Sequence, residues 1–213
     1  MKQKIILIVF LFATRLGHSQ GTTVIDQQST NLVEGVAGLY NYYQPLGQSF
    51  TPSLSSVQFI SLNLYDGDPS PSLGGTVRIN LRSNSITGTI LGISTAVFLP
   101  DDFFGVTNFV FSAPVAVSPG VTYYFQPVIE SGNLGVGSFV TDGSYTGGTE
   151  IYQGVPITDR DLWFQEGITV IPEPSSAVLA LLGGGVWLFV RRWRSLVPKK
   201  QAAAVRIRSL SVS

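Results

Sequence analysis

Two apolar stretches, one near each end, limit which part of this chain can build a water-soluble domain. The first, residues 5–13, follows Lys2 and Lys4, and the second, residues 177–190, is followed by a cluster of arginines. Apolar stretches beside basic residues are typical of segments that enter a membrane. A soluble domain is therefore expected between them, over residues 20–170.

The N-terminal stretch predicts a secretory signal peptide over residues 1–19. Lysines come first, nine apolar residues follow, and the small residues Gly17 and Ser19 stand before the expected cleavage site at Gln20. Nine residues are too few to cross a bilayer core, which takes about 20 helical residues. The alternative, a buried segment of a cytosolic domain, fits the leading lysines poorly.

The composition of the middle favours an all-β fold. Glycine, Ser, Thr, Val and aromatic residues are common there, whereas Ala, Lys and Glu are scarce. Several runs alternate apolar and polar residues, as Val77, Ile79 and Leu81 do in the run 75–83. About eight short strands bounded by turn residues predict a two-sheet β-sandwich or jelly roll over residues 20–170. The chain has no cysteine, so core burial must hold this fold.

Two local features of the middle give further expectations. Pro119 followed by Gly120 predicts a type II turn, because glycine accepts the positive φ of the third turn position. Alternating runs lie on both sides of this turn, so we expect a β-hairpin there. Residues 20–45 are expected either to add an edge strand or to be irregular.

Short sequence patterns spread through the middle resemble bacterial choice-of-anchor domains. They lie at residues 47–51, 75–79, 114–115, 121–125, 145–148 and 161–164. The resemblance covers residues 25–168 and implies a sandwich module on a surface protein with one of several alternative C-terminal anchors. It implies no reaction.

Residues 171–194 give the most specific signal in the chain. A Pro-Glu-Pro tripeptide precedes the second apolar stretch, and arginines close it. The tripeptide is Pro172, Glu173 and Pro174, and the basic cluster is Arg191, Arg192 and Arg194. This layout resembles the PEP-CTERM sorting signal, which implies recognition by an exosortase and a Gram-negative, polysaccharide-producing host. Independently of the resemblance, two prolines hold the backbone extended, as a processing enzyme requires of its substrate.

The second apolar stretch predicts one transmembrane helix over residues 175–193, and the charges predict its orientation. Residues 20–170 hold three basic and twelve acidic residues, a net charge of −9, whereas residues 191–213 hold seven basic and no acidic residues. Because Lys and Arg favour the cytoplasmic side, we expect the middle outside and the C-terminus inside. Residues 195–213 are then a basic cytoplasmic tail. The alternative is a plain membrane anchor without sorting.

The residue inventory argues against catalysis and nucleic-acid binding. The only histidine is His18, within the predicted signal peptide, so Ser-His pairs, Cys-His pairs and ordinary zinc sites are excluded from the middle. A glycosidase with two carboxylates is the remaining catalytic alternative. An acidic middle without a basic stripe does not suit nucleic acid. No cofactor is expected. Asp66 and Asp68 offer oxygen ligands to calcium, but Asp-Gly-Asp-Pro is also typical of a turn, which we favour.

Aromatic residues offer a route to sugar binding without cleavage. Tyr42, Tyr43 and Tyr145 are the predicted sugar-stacking residues, from a wider set that includes Tyr40, Tyr152 and Trp163. The alternative places these rings in the core or at cross-strand positions, which we prefer for Trp163. Our leading hypothesis is a non-catalytic protein that passes through the inner membrane to the envelope, the surface or an extracellular polysaccharide matrix. The alternative is a carbohydrate-binding or adhesion module retained by a plain anchor.

Overall fold

The alternating runs of the sequence form strands in the structure. The computed structural model describes residues 21–36, 40–68, 73–132 and 135–170, together with residues 187, 191 and 192. Residues Gly21–Ile171 form one compact unit. Its strands are β1 (Thr22–Ser29), β2 (Leu32–Val36), β3 (Gly47–Phe50), β4 (Ser56–Asp66), β5 (Gly75–Ser83), β6 (Ile90–Ile93), β7 (Val97–Leu99), β8 (Phe104–Ala116), β9 (Tyr123–Gly132), β10 (Val136–Thr141), β11 (Glu150–Tyr152), β12 (Val155–Ile157), β13 (Asp161–Leu162) and β14 (Phe164–Val170).

The strands form two antiparallel sheets, so the all-β prediction is confirmed. The first sheet has the order β1-β14-β4-β10-β13, with β8 paired to β4 and β2 paired to β10. The second has the order β12-β11-β3-β9-β5-β6, with β7 paired to β5. The predicted signal peptide lies outside the described residues. Within the part of the chain that the structure describes, no helix has the length and apolar character needed to cross a membrane.

The core lies between the inner faces of the two sheets. Val77, Ile79 and Leu81 of β5 are fully buried, as their alternation predicts. They share one hydrophobic cluster with the alternating residues of β4 in the first sheet. The Phe125 and Phe164 rings, one from each sheet, have centroids 5.3 Å apart. Two sheets that bury their apolar faces against each other make a β-sandwich.

A buried polar contact also joins the two sheets. Gln48 of β3 donates from Nε2 to the Asp161 Oδ1 of β13 over 2.7 Å, and its Oε1 accepts from the Leu162 amide at 2.9 Å. Both Gln48 and Asp161 are buried. Because each partner satisfies the other, the core tolerates an amide and a carboxyl group here.

The predicted turn is present, but the predicted hairpin is wrong. Gly120 has φ +76°, and the Val121 amide donates to the Ser118 carbonyl at 3.2 Å, as a type II turn requires. However, β8 pairs with β4 in the first sheet, and β9 pairs with β3 and β5 in the second. A turn fixes the chain direction locally, whereas partner choice depends on distant strands, so this turn carries the chain from one sheet to the other.

The structure contains more and shorter strands than the sequence predicts. The predicted strand 89–98 divides into β6 and β7 at Ser94, whose Oγ accepts from the Ile79 amide at 2.9 Å. The predicted strand 161–166 divides at Trp163 into β13 and β14. Residues 20–45, for which the sequence left two alternatives, supply the strands β1 and β2.

Candidate functional site

The predicted sorting residues fall mostly outside the described part of the chain. This holds for Pro172, Glu173, Pro174 and Arg194, whereas Arg191 and Arg192 are described and are exposed in helical conformation. The Arg191 guanidinium lies 5.2 Å from the centroid of the Trp187 ring, one helical turn before it. A guanidinium stacked on an indole is a suitable pair for the interface of a membrane.

Two of the predicted sugar-stacking residues form one aromatic cluster. Tyr42 is 69% exposed, and its ring packs edge-on against Tyr43 with centroids 6.5 Å apart. The Tyr43 ring stacks on Tyr152 at 5.0 Å, and the Arg160 guanidinium lies 5.9 Å from the Tyr152 centroid. Most ring faces of this cluster therefore contact protein groups, which leaves Tyr42 as its most accessible ring.

The third predicted residue, Tyr145, belongs to a different cluster. Its ring packs edge-on against Phe164 at 5.2 Å, and its hydroxyl donates to Gln27 and accepts from the Thr51 amide. Burial, followed by the nearby carboxylates, raises the pKa of Tyr145 to about 12. The residue lines an open polar cleft of ≈ 440 Å³ with residues 26–31, 144 and 146. Sugar stacking by Tyr42, Tyr43 and Tyr145 stays a prediction.

Two other aromatic candidates, Tyr40 and Trp163, are less exposed than Tyr42. Tyr40 is 1% exposed, and its hydroxyl bonds the Ser138 hydroxyl inside the sandwich. Of the two positions that the sequence left open for Tyr40, the structure therefore shows the core position. Trp163 is half-buried, and its amide donates to the Phe139 carbonyl at 2.8 Å, which fits the cross-strand position that the sequence favoured.

Asp66 acts as a local backbone acceptor. Its Oδ1 accepts from the Asp68 amide at 3.0 Å, and its Oδ2 accepts from the Asp102 amide at 3.2 Å. An aspartate that accepts from the amide two residues on forms an Asx-turn, which agrees with the favoured interpretation of this segment. Among the described residues, no group of three acidic or histidine side chains could hold a metal ion. Calcium binding by Asp66 and Asp68 stays a prediction.

A buried carboxyl group on β14 was not anticipated from the sequence. Glu166 has no exposed surface and pairs in register with Ile60, on the core side of the first sheet. Burial, followed by the charge and close approach of the Asp26 carboxylate, raises the pKa of Glu166 to about 9, against a smaller opposite effect of the Gln27 amide. Glu166 therefore keeps its proton at neutral pH. Its alternation with Phe164 was the sequence signal for its inward position.

Asp26 is the ionised partner of Glu166. Burial alone would raise its pKa, but hydrogen bonds from the Ser53 side chain and from the Leu54 and Ser53 amides outweigh it, so the pKa is lowered. The two amides donate over 2.9 and 2.8 Å. Asp26 sits at a β-bulge where the register of β1 and β14 shifts between Ile25 and Gln27. The pair thus shares one proton at neutral pH.

Glu150 is the second fully buried carboxyl group with a raised pKa. Burial raises the pKa, although Arg160 opposes the shift. The Arg160 Nε lies 2.6 Å from a Glu150 carboxylate oxygen. Glu150 is the first residue of β11 and pairs in register with Gln48 of β3 in the second sheet. Glu150 is thus paired with a guanidinium, whereas Glu166 has a second carboxyl group as its neighbour.

An aromatic cluster that sequence reasoning did not find lies on the outer face of the first sheet. Tyr65 and Phe104 are direct register partners on β4 and β8, and Phe139 comes from β10. The Phe139 centroid lies 5.3 Å from that of Tyr65 and 5.1 Å from that of Phe104. Phe104 is 73% exposed. No short sequence pattern joins these three residues, because only the sheet brings their strands together.

The C-terminal segment is the part of the chain that comparison with known proteins recognises. Residues 170–195 match the PEP-CTERM protein-sorting motif. The chain carries a PEP-CTERM sorting signal. The match begins at the last residue of β14 and includes Pro172, Glu173, Pro174, the apolar stretch and all three arginines of the cluster. The resemblance stated from the sequence is confirmed for this segment, and the β-sandwich agrees with it.

The PEP-CTERM signal defines the class of protein without defining a ligand. Such a signal implies recognition by an exosortase, export, and sorting to the cell envelope or surface. Proteins that carry it are generally surface proteins rather than enzymes, and no catalytic family matches. No curated protein matches the chain at a significant level.

Proposed function

We propose that this chain is a non-catalytic surface or extracellular-matrix protein that an exosortase cuts at its PEP-CTERM signal. The observation that carries the proposal is the match of residues 170–195 to the sorting motif. The β-sandwich is the exported part. It is followed directly by the motif, so cleavage there releases the whole domain from the membrane segment.

The distribution of charge supports the orientation of the intermediate. Residues 20–170 carry a net charge of −9, and residues 191–213 carry seven basic and no acidic residues. Because basic segments are retained on the cytoplasmic side, a single span near residues 175–193 leaves the sandwich outside and the tail within. The signal peptide over residues 1–19 starts the export.

Processing of tagged protein in cells tests the proposal. The double variant Pro172→Ala/Pro174→Ala is expected to accumulate as a larger, membrane-bound form, because the extended segment that the exosortase reads is lost. Pro198→Ala is the matched control, since it removes a proline C-terminal to the arginines. Mass spectrometry of the mature C-terminus gives the cleavage site. Unchanged size and surface delivery of the double variant would overturn cleavage at this motif.

The second candidate function is a carbohydrate-binding or adhesion module retained by a plain membrane anchor. Exposed aromatic rings on the sandwich, including Tyr42 and Phe104, favour it. It predicts that the wild-type chain keeps residues 171–213 and stays bound to the membrane. The proline variants separate the two candidates, because a plain anchor does not need the motif.

A further inference from the structure

The outer face of the first sheet combines an aromatic cluster with a row of polar side chains. Tyr65 and Ser61 lie on the same face of β4, because they are four residues apart in a strand. Gly137 of β10 is opposite Tyr65, and Phe139 follows two residues later on the same face. The distance along β4 from Ser61 to Tyr65 is about 13 Å, which is longer than one sugar ring.

The three rings meet at fixed angles, and Phe104 is the exposed one among them. Phe104 packs T-shaped against Phe139 at 72°, and Tyr65 is tilted by 59° to Phe139. Phe104 is 73% exposed, so most of its ring surface faces solvent despite the contact with Phe139. Gly137 leaves room for the Tyr65 ring, since a Cβ added there would lie 2.6 Å from three ring and hydroxyl atoms of Tyr65.

The polar row crosses four neighbouring strands of the same face. Asn108, Ser61, Gln165 and Gln28 are successive register partners on β8, β4, β14 and β1. Ser61 Oγ donates to Asn108 Oδ1 at 3.2 Å, and Gln165 Nε2 donates to Gln28 Oε1 at 2.9 Å. Asn108 and Gln28 are exposed, so their remaining donors and acceptors face solvent.

We propose that this outer face binds a neutral polysaccharide. Its sugar rings would stack on Phe104 and Tyr65, and its hydroxyl groups would form hydrogen bonds with the polar row. Aromatic faces accept the apolar side of a pyranose, and side-chain amides both donate to and accept from hydroxyls. The net charge of −9 over residues 20–170 disfavours an anionic polymer. The aromatic and amide groups together suit a glycan better than a purely apolar partner, which would leave the polar row unsatisfied.

This site gives the proposed surface protein a ligand class. It rests on the proposed export, because the chain can contact an extracellular glycan only outside the cell. The two proposals fail separately. Binding is measured with purified full-length chain in a detergent without a sugar headgroup, which needs no sorting. Processing is measured in cells with the proline variants, which needs no glycan.

The test is isothermal titration of the full chain with four neutral probes: cellohexaose, xylohexaose, mannohexaose and chitohexaose. Polygalacturonate at matched ionic strength is the anionic comparator. We expect binding of at least one neutral probe and an affinity about tenfold weaker in Phe104→Ala. Gly137→Ala is expected to weaken binding as well, because its methyl group displaces the Tyr65 ring.

Two control variants identify the face. Phe98→Ala removes another exposed phenylalanine, on β7 of the second sheet, and Tyr42→Ala removes the most exposed ring predicted from the sequence. Both are expected to bind as the wild type does. The proposal is overturned if the wild type binds none of the neutral probes, if it prefers polygalacturonate, or if Phe104→Ala binds unchanged. Loss of binding in Tyr42→Ala with normal binding in Phe104→Ala would move the site to the Tyr42 cluster.

Discussion

The two faces of strand β4 differ in what their side chains do. On the inner face, Ile60, Leu62 and Leu64 are fully buried in the shared core of the two sheets. On the outer face, Ser61 and Tyr65 belong to a polar row and an aromatic cluster whose other members reach solvent. The inner side chains of β4 therefore build the core, whereas its outer side chains lie among exposed groups of the neighbouring strands, such as Phe104 and Asn108 of β8.

The core face of the first sheet also holds one group that lowers stability, on the neighbouring strand β14. Glu166 lies in register with Ile60 and is buried with its proton retained, beside the ionised Asp26. A carboxyl group in this position costs free energy that an amide of the same shape would not, because only the carboxyl group must give up ionisation on folding. The comparison of faces therefore predicts three effects of decreasing size.

The largest effect is expected from Leu62→Ala on the inner face. Removing a fully buried leucine side chain leaves a cavity, and we expect the free energy of unfolding to fall by about 3 kcal/mol. Urea denaturation of the purified chain measures it. Val106→Ala is the matched control on the outer face, since Val106 is 55% exposed and its loss is expected to change stability by less than ~0.5 kcal/mol. Equal losses in both variants would contradict the division of the first sheet into a core face and an outer face.

A pH-dependent effect, smaller than that of Leu62→Ala at pH 6 and below, is expected from Glu166→Gln. The unfolded chain loses this proton near pH 4.5, whereas the folded chain keeps it up to about pH 9. Wild-type stability therefore falls as pH rises between these values, with a slope of at most about 1.4 kcal/mol per pH unit from this group. The amide does not titrate, so Glu166→Gln is expected to match the wild type near pH 4 and to be at least ~1 kcal/mol more stable at pH 8.

Denaturation curves from pH 4 to pH 9 measure this difference. Asp26 contributes in the opposite sense, because its lowered pKa gives stability that is lost as pH falls through the folded value. Asp142→Asn is a suitable control, since Asp142 is an exposed acid away from the core. If Glu166→Gln were less stable than the wild type at pH 8, the carboxyl group would have to be ionised and favourably bound in the folded chain.

The sequence predicts the inner face well because its signal is local. The strand Gly75–Ser83 has the bounds that alternation predicts, and its three apolar residues are buried. The turn at Pro119 and Gly120 was equally predictable, since it depends only on the φ angles of two residues. The sorting signal was recognisable for the same reason, because its parts lie next to one another in the chain.

The outer face was not predictable because its members come from distant strands. Tyr65, Phe104 and Phe139 come together only because β8 and β10 pair with opposite edges of β4. The wrong hairpin has the same cause, since nothing local at Gly120 indicates that β9 pairs with β3 and β5. Tyr42, Tyr43 and Tyr145 were predicted from residue type alone, which does not show that Tyr43 stacks on Tyr152.

The smallest effect is expected from Phe104→Ala on the outer face. Its ring is 73% exposed and contacts Phe139 edge-on, so we expect the free energy of unfolding to change by less than ~0.5 kcal/mol. Urea denaturation, with near-ultraviolet circular dichroism to follow the remaining rings, measures this change beside Leu62→Ala. A loss above ~1.5 kcal/mol would show that the aromatic cluster supports the fold, and weaker glycan binding by this variant would then no longer identify a contact residue. A neutral result keeps the two properties separate, because a face that contributes little to stability can change its ligand without unfolding the domain.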